Sequence, residues 1–165
     1  MDLYLVRHAA AADRDPVAWP VDADRPLTPE GAARFQRAAA GLRLLVPQVD
    51  LVLSSPHARA WATAHILHEE ARWPAPESCL PLMSADYGGV LAAVAEHPTA
   101  RGAALVGHEP HLSGLAAWLL GGDGMRLAID MKKGSVAHIE VAAPAPGSAA
   151  VLRWLLPPRV LRRLT

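Results

Sequence analysis

The sequence predicts an α/β domain built as a three-layer α/β/α sandwich with a largely parallel central sheet. Three short apolar runs without polar alternation, 3–6, 51–53 and 102–106, are typical of strands buried on both faces. Segments with helical apolar spacing alternate with these strands, which favours parallel connections. Two further apolar segments, 136–141 and 151–155, are joined by the Pro- and Gly-rich stretch 144–148 and predict an antiparallel hairpin. The 165 residues fit a single domain over 1–165.

The first strand is followed by a loop and then by a helix with a clear start. Residues 13–25 are polar and interrupted by prolines, so we expect a loop there. Thr28 is the expected N-cap, with Pro29 at the first helical position. The buried stripe of this helix should consist of apolar residues at helical spacing, namely Phe35, Ala39 and Leu42.

The second strand, 50–54, leads into a helix opened by Ser54-Ser55-Pro56 and running to about residue 71. Its buried face is predicted from apolar spacing to contain Ala58, Ala62 and Ile66. A short third strand, 77–80, should end before Pro81, with Cys79 as an inert core residue.

The second half of the chain continues the same alternation. A helix is predicted over 87–96, a strand over 102–106, and a further helix that follows the turn 107–110 and runs to residue 120. The glycines of 121–124 should stop that helix. Pro157-Pro158 should end the sheet and leave a basic, solvent-exposed tail.

Composition narrows the function classes before any motif is considered. With 52% hydrophobic and 19% charged residues, the chain has the composition of a folded globular protein. Its formal net charge is zero, so no overall field favours nucleic acid or an anionic membrane as a partner. The single cysteine excludes an internal disulfide, and no signal peptide or membrane-spanning run is apparent. We expect a cytoplasmic monomer.

Polar side chains that suit an anion follow three of the predicted strands. Arg7 and His8 follow the first strand, Arg59 lies in the first turn of the helix after the second, and His108 follows the fourth. Because the carboxyl ends of parallel strands meet at one edge of a sheet, these four side chains should lie close together, near two helix N-termini. A doubly charged phosphoryl group fits such a site best.

The residues around these positions resemble the histidine phosphatase superfamily, which is also called phosphoglycerate mutase-like. Leu5-Val6-Arg7-His8 is similar to the nucleophile motif of the family, with Ala9 where many members have glycine. Three further segments match in the family's order: 25–31, 54–59 with Thr63-Ala64, and 106–110. In the second of these, Ala62 replaces a common glutamine. The resemblance implies the phosphoglycerate mutase-like fold, a histidine nucleophile at His8, and phosphate-binding roles for Arg7, Arg59 and His108.

Within that superfamily the chain resembles the small SixA-type phosphohistidine phosphatases. Members of the mutase type carry a longer insertion between the second arginine and the second histidine, and that insertion covers the pocket. Here Arg59 and His108 are close in sequence. Residues 132–136 also resemble the strand start that follows the second histidine in the SixA-like group. The resemblance implies that the substrate is a phosphorylated protein that carries phosphohistidine.

A histidine nucleophile requires one ring nitrogen without a proton at neutral pH. Arg7, Arg59 and His108 should disfavour the imidazolium form of His8 and lower its pKa. The same groups can hold the phosphoryl oxygens and neutralise charge during transfer. In this mechanism His8 attacks phosphorus in line, a phosphohistidine forms, and water then releases phosphate. We expect no metal and no cofactor, with His57 and Glu109 as further substrate contacts.

The leaving-group acid is not determined by the sequence. Asp86, between the third strand and the next helix, is the first candidate and Glu109 is the second. Alternatively Asp86 is the N-cap of the helix that starts at Tyr87. A third possibility is that no acid is needed, since the leaving nitrogen of a phosphoramidate is readily protonated.

Three functions remain open at this stage. The first is a phosphatase of protein phosphohistidine, which an open pocket without a covering insertion would suit. The second is a broad-specificity phosphomonoesterase for small molecules, because an open pocket also accepts many phosphoesters. The third is a non-catalytic module that binds phosphate or a phosphoprotein.

Overall fold

The fold is given by a computed structural model, described here for residues 1–122 and 127–165. One mixed sheet contains the six strands β1 (Asp2–Arg7), β2 (Leu51–Ser54), β3 (Glu77–Ser78), β4 (Gly102–Gly107), β5 (Val136–Val141) and β6 (Ala150–Leu156). Their order is β3-β2-β4-β1-β5-β6. The first four strands of that order are parallel to one another. The next strand, β5, pairs antiparallel with β1, and β6 pairs antiparallel with β5. The predicted mixed α/β sheet with a terminal hairpin is therefore confirmed.

Helices cover both faces of the sheet. The described helices are α1 (Pro29–Leu45), α2 (Ala58–Ile66), α3 (Tyr87–Ala95), α4 (His111–Gly121) and α5 (Pro158–Leu161). One core packs α1, α2 and α5 against residues such as Val6, Val52 and Val106. The other packs α3 and α4 against Leu5 and Leu105. Successive strand residues point to opposite faces, which explains why β1, β2 and β4, with helices on both sides, are largely apolar.

The start of α1 forms as predicted. The Thr28 hydroxyl accepts a hydrogen bond from the Gly31 amide at 2.9 Å, and Pro29 is the first helical residue. The predicted stripe of Phe35, Ala39 and Leu42 is buried, each residue at most 2% exposed.

The predicted buried face of α2 is partly wrong. Ile66 is buried, but Ala58 and Ala62 are half-exposed. The Thr63 hydroxyl donates to the Arg59 carbonyl and accepts from the amide of Ala9, and these bonds fix the rotation of the helix about its axis. The small and apolar residues that face the core are instead Ala60, Ala64 and Leu67.

One strand boundary differs from the prediction, whereas the second helical segment ends at residue 71 as predicted. The third strand ends at Ser78, because Leu80 and Pro81 begin a short 3-10 helix, Leu80–Met83, and Leu80 is 63% exposed. Cys79 is buried as expected, and burial raises the pKa of its thiol. The second helix continues beyond Ile66 as a π-helical turn, Leu67–Ala71.

The C-terminal segment is more than an exposed basic tail. It contains α5, whose Leu161 is fully buried against α1. At the end of α4 the described chain stops at Gly122, so the predicted contribution of Asp123 and Gly124 to the helix stop lies outside the described residues. Of the helices in the described part of the chain, none is long and apolar enough to cross a membrane.

Candidate active site

Three adjacent strands deliver the predicted site residues to one sheet edge. His8 follows β1, His108 follows β4, and Arg59 lies in the first turn of the helix after β2. All three side chains are buried, each residue only 6% exposed. The ring centroids of His8 and His108 are 5.2 Å apart, and those of His57 and His108 are 4.8 Å apart. The predicted convergence is thus present in the structure.

The tautomer of His8 follows from its hydrogen bond. Its Nδ1 lies 2.7 Å from the carbonyl oxygen of Ala9. Since a carbonyl oxygen can only accept, Nδ1 carries the proton and Nε2 keeps a free electron pair. Burial is the largest cause, and together with the cations Arg59 and Arg7 it lowers the pKa of His8 to about 4, against the opposing effect of the hydrogen bond to the Ala9 carbonyl. His8 is therefore a neutral imidazole at pH 7 with an unprotonated Nε2.

His108 is held by a serine that the motif analysis did not select. Its Nε2 lies 2.8 Å from the hydroxyl oxygen of Ser55, which also accepts from the amide of His57 at 3.3 Å. The Ser55 hydroxyl can donate to Nε2, and in that tautomer neutral His108 carries its proton on Nδ1. Burial, with the neighbouring His8 and Arg59, lowers the pKa of His108 to about 3.

The two arginines are fixed by backbone and carboxylate oxygens. Arg7 donates to the carbonyl of Met131 at 2.6 Å. Arg59 donates to the carbonyl of Asp22 at 2.8 Å and to its carboxylate at 3.0 Å. Burial would raise the pKa of the Asp22 carboxyl, but Arg59 and Arg25 lower it overall, so Asp22 is a carboxylate. Oxygen atoms of the protein itself thereby orient both guanidinium groups.

Three buried nitrogen atoms at this site have no hydrogen-bond partner within the described part of the chain. They are Nε of Arg7, Nε of Arg59 and Nδ1 of His108. A buried donor without a partner is costly, and most such groups in proteins are paired. Three unpaired donors on residues gathered around His8 are what a phosphate group with several acceptor oxygens would satisfy.

A set of backbone hydrogen bonds holds the loop after β1. The amides of His8 and Ala9 donate to the Gly107 carbonyl and the Thr63 hydroxyl, both at 3.0 Å. The amide of Gly134 donates to the carbonyls of Arg7 and His8 at 3.1 and 3.0 Å. Three separate segments therefore hold the position of His8.

The structure places the two carboxylate candidates at helix starts. Asp86 is exposed and accepts from the amide of Gly89 at 2.9 Å, which confirms the alternative that it caps α3. Glu109 accepts from the amide of Ser113 at 3.1 Å, at the start of α4. Whether either carboxyl transfers a proton stays a prediction.

The sequence analysis missed Asp22, Arg25 and Ser55. Asp22 and Arg59 are 37 positions apart, so no local pattern signals their contact. The salt bridge between Arg25 and Asp22, at i and i+3, is the one feature that helical spacing could have indicated. Among residues 1–122 and 127–165, no group of three or more His, Cys, Asp or Glu side chains could hold a metal ion.

Comparison with protein families gives a match over the half of the chain that contains Arg7, His8 and Arg59. The model of the histidine phosphatase superfamily (branch 1) matches residues 3–89. A relative in Picosynechococcus, a protein of uncharacterised function, is 38% identical over 116 residues, which is 68% of each chain.

Several solved structures with the same fold are named as phosphatases. The protein histidine phosphatase SixA in complex with tungstate is 22% identical, with a TM-score of 0.81 over 98% of this chain and 99% of that one. A protein of Nakamurella multipartitia named as a phosphohistidine phosphatase SixA is 28% identical, with a TM-score of 0.75 over 95% of each chain. The α-ribazole phosphatase of Shigella flexneri is 20% identical, with a TM-score of 0.71 over 96% of this chain and 97% of that one.

Proposed function

The chain belongs to the histidine phosphatase superfamily (branch 1), and from this membership we propose that it is a phosphatase whose nucleophile is His8. The free electron pair on Nε2 attacks phosphorus, and the bond from phosphorus to the leaving group breaks with its electron pair going to the leaving atom. Water then attacks phosphorus, the bond from phosphorus to Nε2 breaks, and phosphate is released with His8 neutral again. The hydrogen bond from Nδ1 to the Ala9 carbonyl keeps the proton on Nδ1, so Nε2 can bond to phosphorus in the first step and release it in the second.

Arg7, Arg59 and His108 bind the phosphoryl oxygens in this mechanism. The observation that carries the proposal is the set of three unpaired buried donors on these residues. Donors that are already oriented cost no reorganisation when charge moves through the transition state. His57 and Glu109, on the same edge of the sheet, are proposed as outer substrate contacts.

We further propose that the substrate is protein phosphohistidine. The carboxyl closest to the phosphate-binding groups, that of Asp22, is held as a carboxylate by Arg59 and Arg25. Asp86 and Glu109 accept hydrogen bonds from helix amides. Each of the three is thus engaged in a hydrogen bond or an ion pair, which favours a reaction that needs no acid from the enzyme. A phosphoramidate needs such a donor least, because its leaving nitrogen is readily protonated by solvent.

The nucleophile is tested by trapping the phosphoenzyme. After reaction with phosphoramidate in excess chelator, the wild-type protein should carry an acid-labile phosphate, and His8→Ala should carry none. His65→Ala, which removes an exposed histidine of α2, is the matched control and should label like the wild type. Arg7→Ala, Arg59→Ala and His108→Ala should each lose a factor on the order of 10²–10³ in rate. Phosphate on the His8→Ala protein would refute the assignment.

The acid is tested by leaving-group dependence. If Asp86 donated a proton, Asp86→Asn would slow esters with poor leaving groups much more than esters with good ones. Because Asp86 caps α3, we expect equal and small losses on both kinds of ester, with a lower melting temperature. A loss of rate confined to esters with poor leaving groups would instead identify Asp86 as the proton donor.

The alternative is a phosphatase of small phosphoesters, and the fold shared with an α-ribazole phosphatase favours keeping it. A competition of kcat/KM between a phosphohistidine-bearing protein and a panel of phosphorylated metabolites separates the two. A metabolite preferred by more than tenfold, about 1.4 kcal/mol in the transition state, would decide for the alternative.

A further inference from the structure

A basic groove lies beside the nucleophile loop and is not used by the proposed chemistry. Its larger part is a cavity of about 590 Å³ next to α5, and a smaller part of about 110 Å³ adjoins it. Ala9 and Ala10, which directly follow His8, line the smaller part. We define the basic groove by its cationic side chains, Arg34, Lys132, Lys133, Arg159 and Arg162.

The groove concentrates positive charge in a chain that is neutral overall. The chain has 16 basic and 16 acidic residues. In the groove, Arg34 is paired with Glu30 and Lys132 with Asp130. The other three cations make no ion pair within residues 1–122 and 127–165: Lys133, Arg159 and Arg162. Positive charge is therefore in excess on this surface, and its counter-charge must come from outside the fold.

Apolar residues form much of the remaining groove wall, which also includes Ser135 and Asp130. Leu155, Pro157 and Pro158 line it and are half-buried, and Phe35 closes its base at 2% exposure. An apolar base with a cationic rim suits a polypeptide that carries both apolar and acidic side chains. A single-stranded nucleic acid would instead be expected to stack its bases on exposed aromatic rings. The one aromatic residue that lines the groove, Phe35, is buried.

We propose that the basic groove binds an acidic segment of the phosphorylated protein substrate, close to the phosphohistidine that enters the active site. The inference rests on the proposed function and adds that the substrate protein is acidic near its phosphohistidine. Attraction between the groove and the acidic segment should lower KM and make it depend on ionic strength. It should leave the chemical step at the phosphoryl group unchanged. A small phosphate ester does not extend into the groove and should be hydrolysed independently of it.

Two synthetic peptides with the same central histidine test the partner class. One has glutamates on both sides of the histidine, and the other has glutamines. Fluorescence anisotropy of the labelled, unphosphorylated peptides measures docking without any turnover. We expect the glutamate peptide to bind about tenfold more tightly, equivalent to ~1.4 kcal/mol, with the preference falling as salt is added.

A pair of variants with equal charge tests the location. Lys133→Glu/Arg159→Glu reverses two exposed groove cations, and Arg43→Glu/Arg101→Glu reverses two exposed cations outside it. We expect the groove variant to lose the preference for glutamate and the control variant to keep it. Both should hydrolyse a chromogenic phosphate ester at the wild-type rate and unfold at nearly the wild-type temperature.

The outcomes for the groove and for the proposed function are separable. The proposal that the groove binds an acidic segment is wrong if the two peptides bind equally, or if the groove variant keeps the preference for glutamate. An oligonucleotide of matched charge that binds more tightly than the glutamate peptide also overturns it, in favour of a nucleic acid partner. If the glutamate preference is present but neither phosphorylated peptide is dephosphorylated, the binding of an acidic segment in the groove is confirmed and the proposed phosphohistidine substrate is wrong.

Discussion

At the scale of single residues, the two site histidines are both neutral but are prepared for different tasks. His8 donates through Nδ1 to a backbone carbonyl, so its Nε2 is the atom with a free electron pair. His108 meets a serine hydroxyl at Nε2 and has no partner at Nδ1 within the described residues, so in the tautomer in which the hydroxyl donates, its Nδ1–H is the free donor. A histidine side chain thus provides an electron pair at position 8 and a hydrogen-bond donor at position 108. The hydrogen bond that the other ring nitrogen makes determines which of the two it provides.

The pH range of a neutral His8 can be measured directly. Burial and the neighbouring arginines place its pKa at about 4, against an ordinary value of 6.5. An NMR titration of the imidazole Cε1–H signals should therefore show His8 still neutral at pH 5, with protonation only around pH 4. The signal is assigned by its loss in His8→Asn. Titration near 6.5 would mean that the site does not suppress the imidazolium.

Three of the four phosphate-site residues that sequence alone identified end or directly follow strands, and the fourth, Arg59, lies in the first turn of the helix after β2. Arg7, His8 and His108 come within two residues of a buried apolar run, and this position largely determines where they point. Asp22 could not be predicted in the same way, because its loop contacts Arg59 only once the chain has folded. Its role depends on a tertiary contact and not on a local pattern.

At the scale of elements, the nucleophile loop depends on the close approach of α1. A Cβ atom at Gly31 would lie far inside contact distance of the Ala10 carbonyl oxygen and close to the Thr28 hydroxyl. The amide of Thr28 also donates to the Ala10 carbonyl at 3.1 Å. The start of the helix and the loop after His8 are therefore fitted to each other, and only glycine permits their distance.

Gly31→Ala tests this approach. The added methyl group must displace the loop or the helix start, so we expect a loss of about 1–3 kcal/mol in unfolding free energy and a reduced rate of ester hydrolysis. Gly88→Ala is the matched control, because no atom lies within 4 Å of its added Cβ. That helical substitution should be neutral or stabilising by up to about 1 kcal/mol. Urea unfolding and ester hydrolysis measure both variants.

Sequence patterns were sufficient for elements whose ends carry their own signals. The first turn of α1 has a side-chain cap and a proline, and it forms where predicted. By contrast, α2 has no side-chain cap, and alanines populate several of its faces. Its orientation is set by the hydrogen bonds of Thr63 to another segment, which apolar spacing cannot reveal.

At the scale of the whole molecule, the site adds acid sensitivity to the fold. His8 and His108 have folded-state pKa values of about 4 and about 3, well below the ordinary 6.5 of an unfolded chain. Between pH 6.5 and 4 the unfolded state therefore binds more protons than the native state, and stability must fall as the pH falls. Well above pH 6.5 both histidines are neutral in both states and contribute no pH dependence.

This linkage can be measured by urea unfolding at a series of pH values. We expect the unfolding free energy to decrease from pH 6.5 towards pH 4, with up to two additional protons taken up on unfolding at the lower end. His8→Asn and His108→Asn should each flatten this dependence by removing one proton. An unchanged slope in both variants would assign the acid sensitivity to other groups.

The central position of β1 and β4 has a consequence for the timescale on which the site can open. Both strands have neighbours on each side, so their amide protons can exchange with solvent only through opening of the middle of the sheet. The loop over 13–21 has few backbone hydrogen bonds, and its amides are expected to exchange through small local fluctuations. The frame around His8 should therefore stay closed over the lifetime of the folded molecule, while the loop that leads to Asp22 beside Arg59 rearranges many times within it.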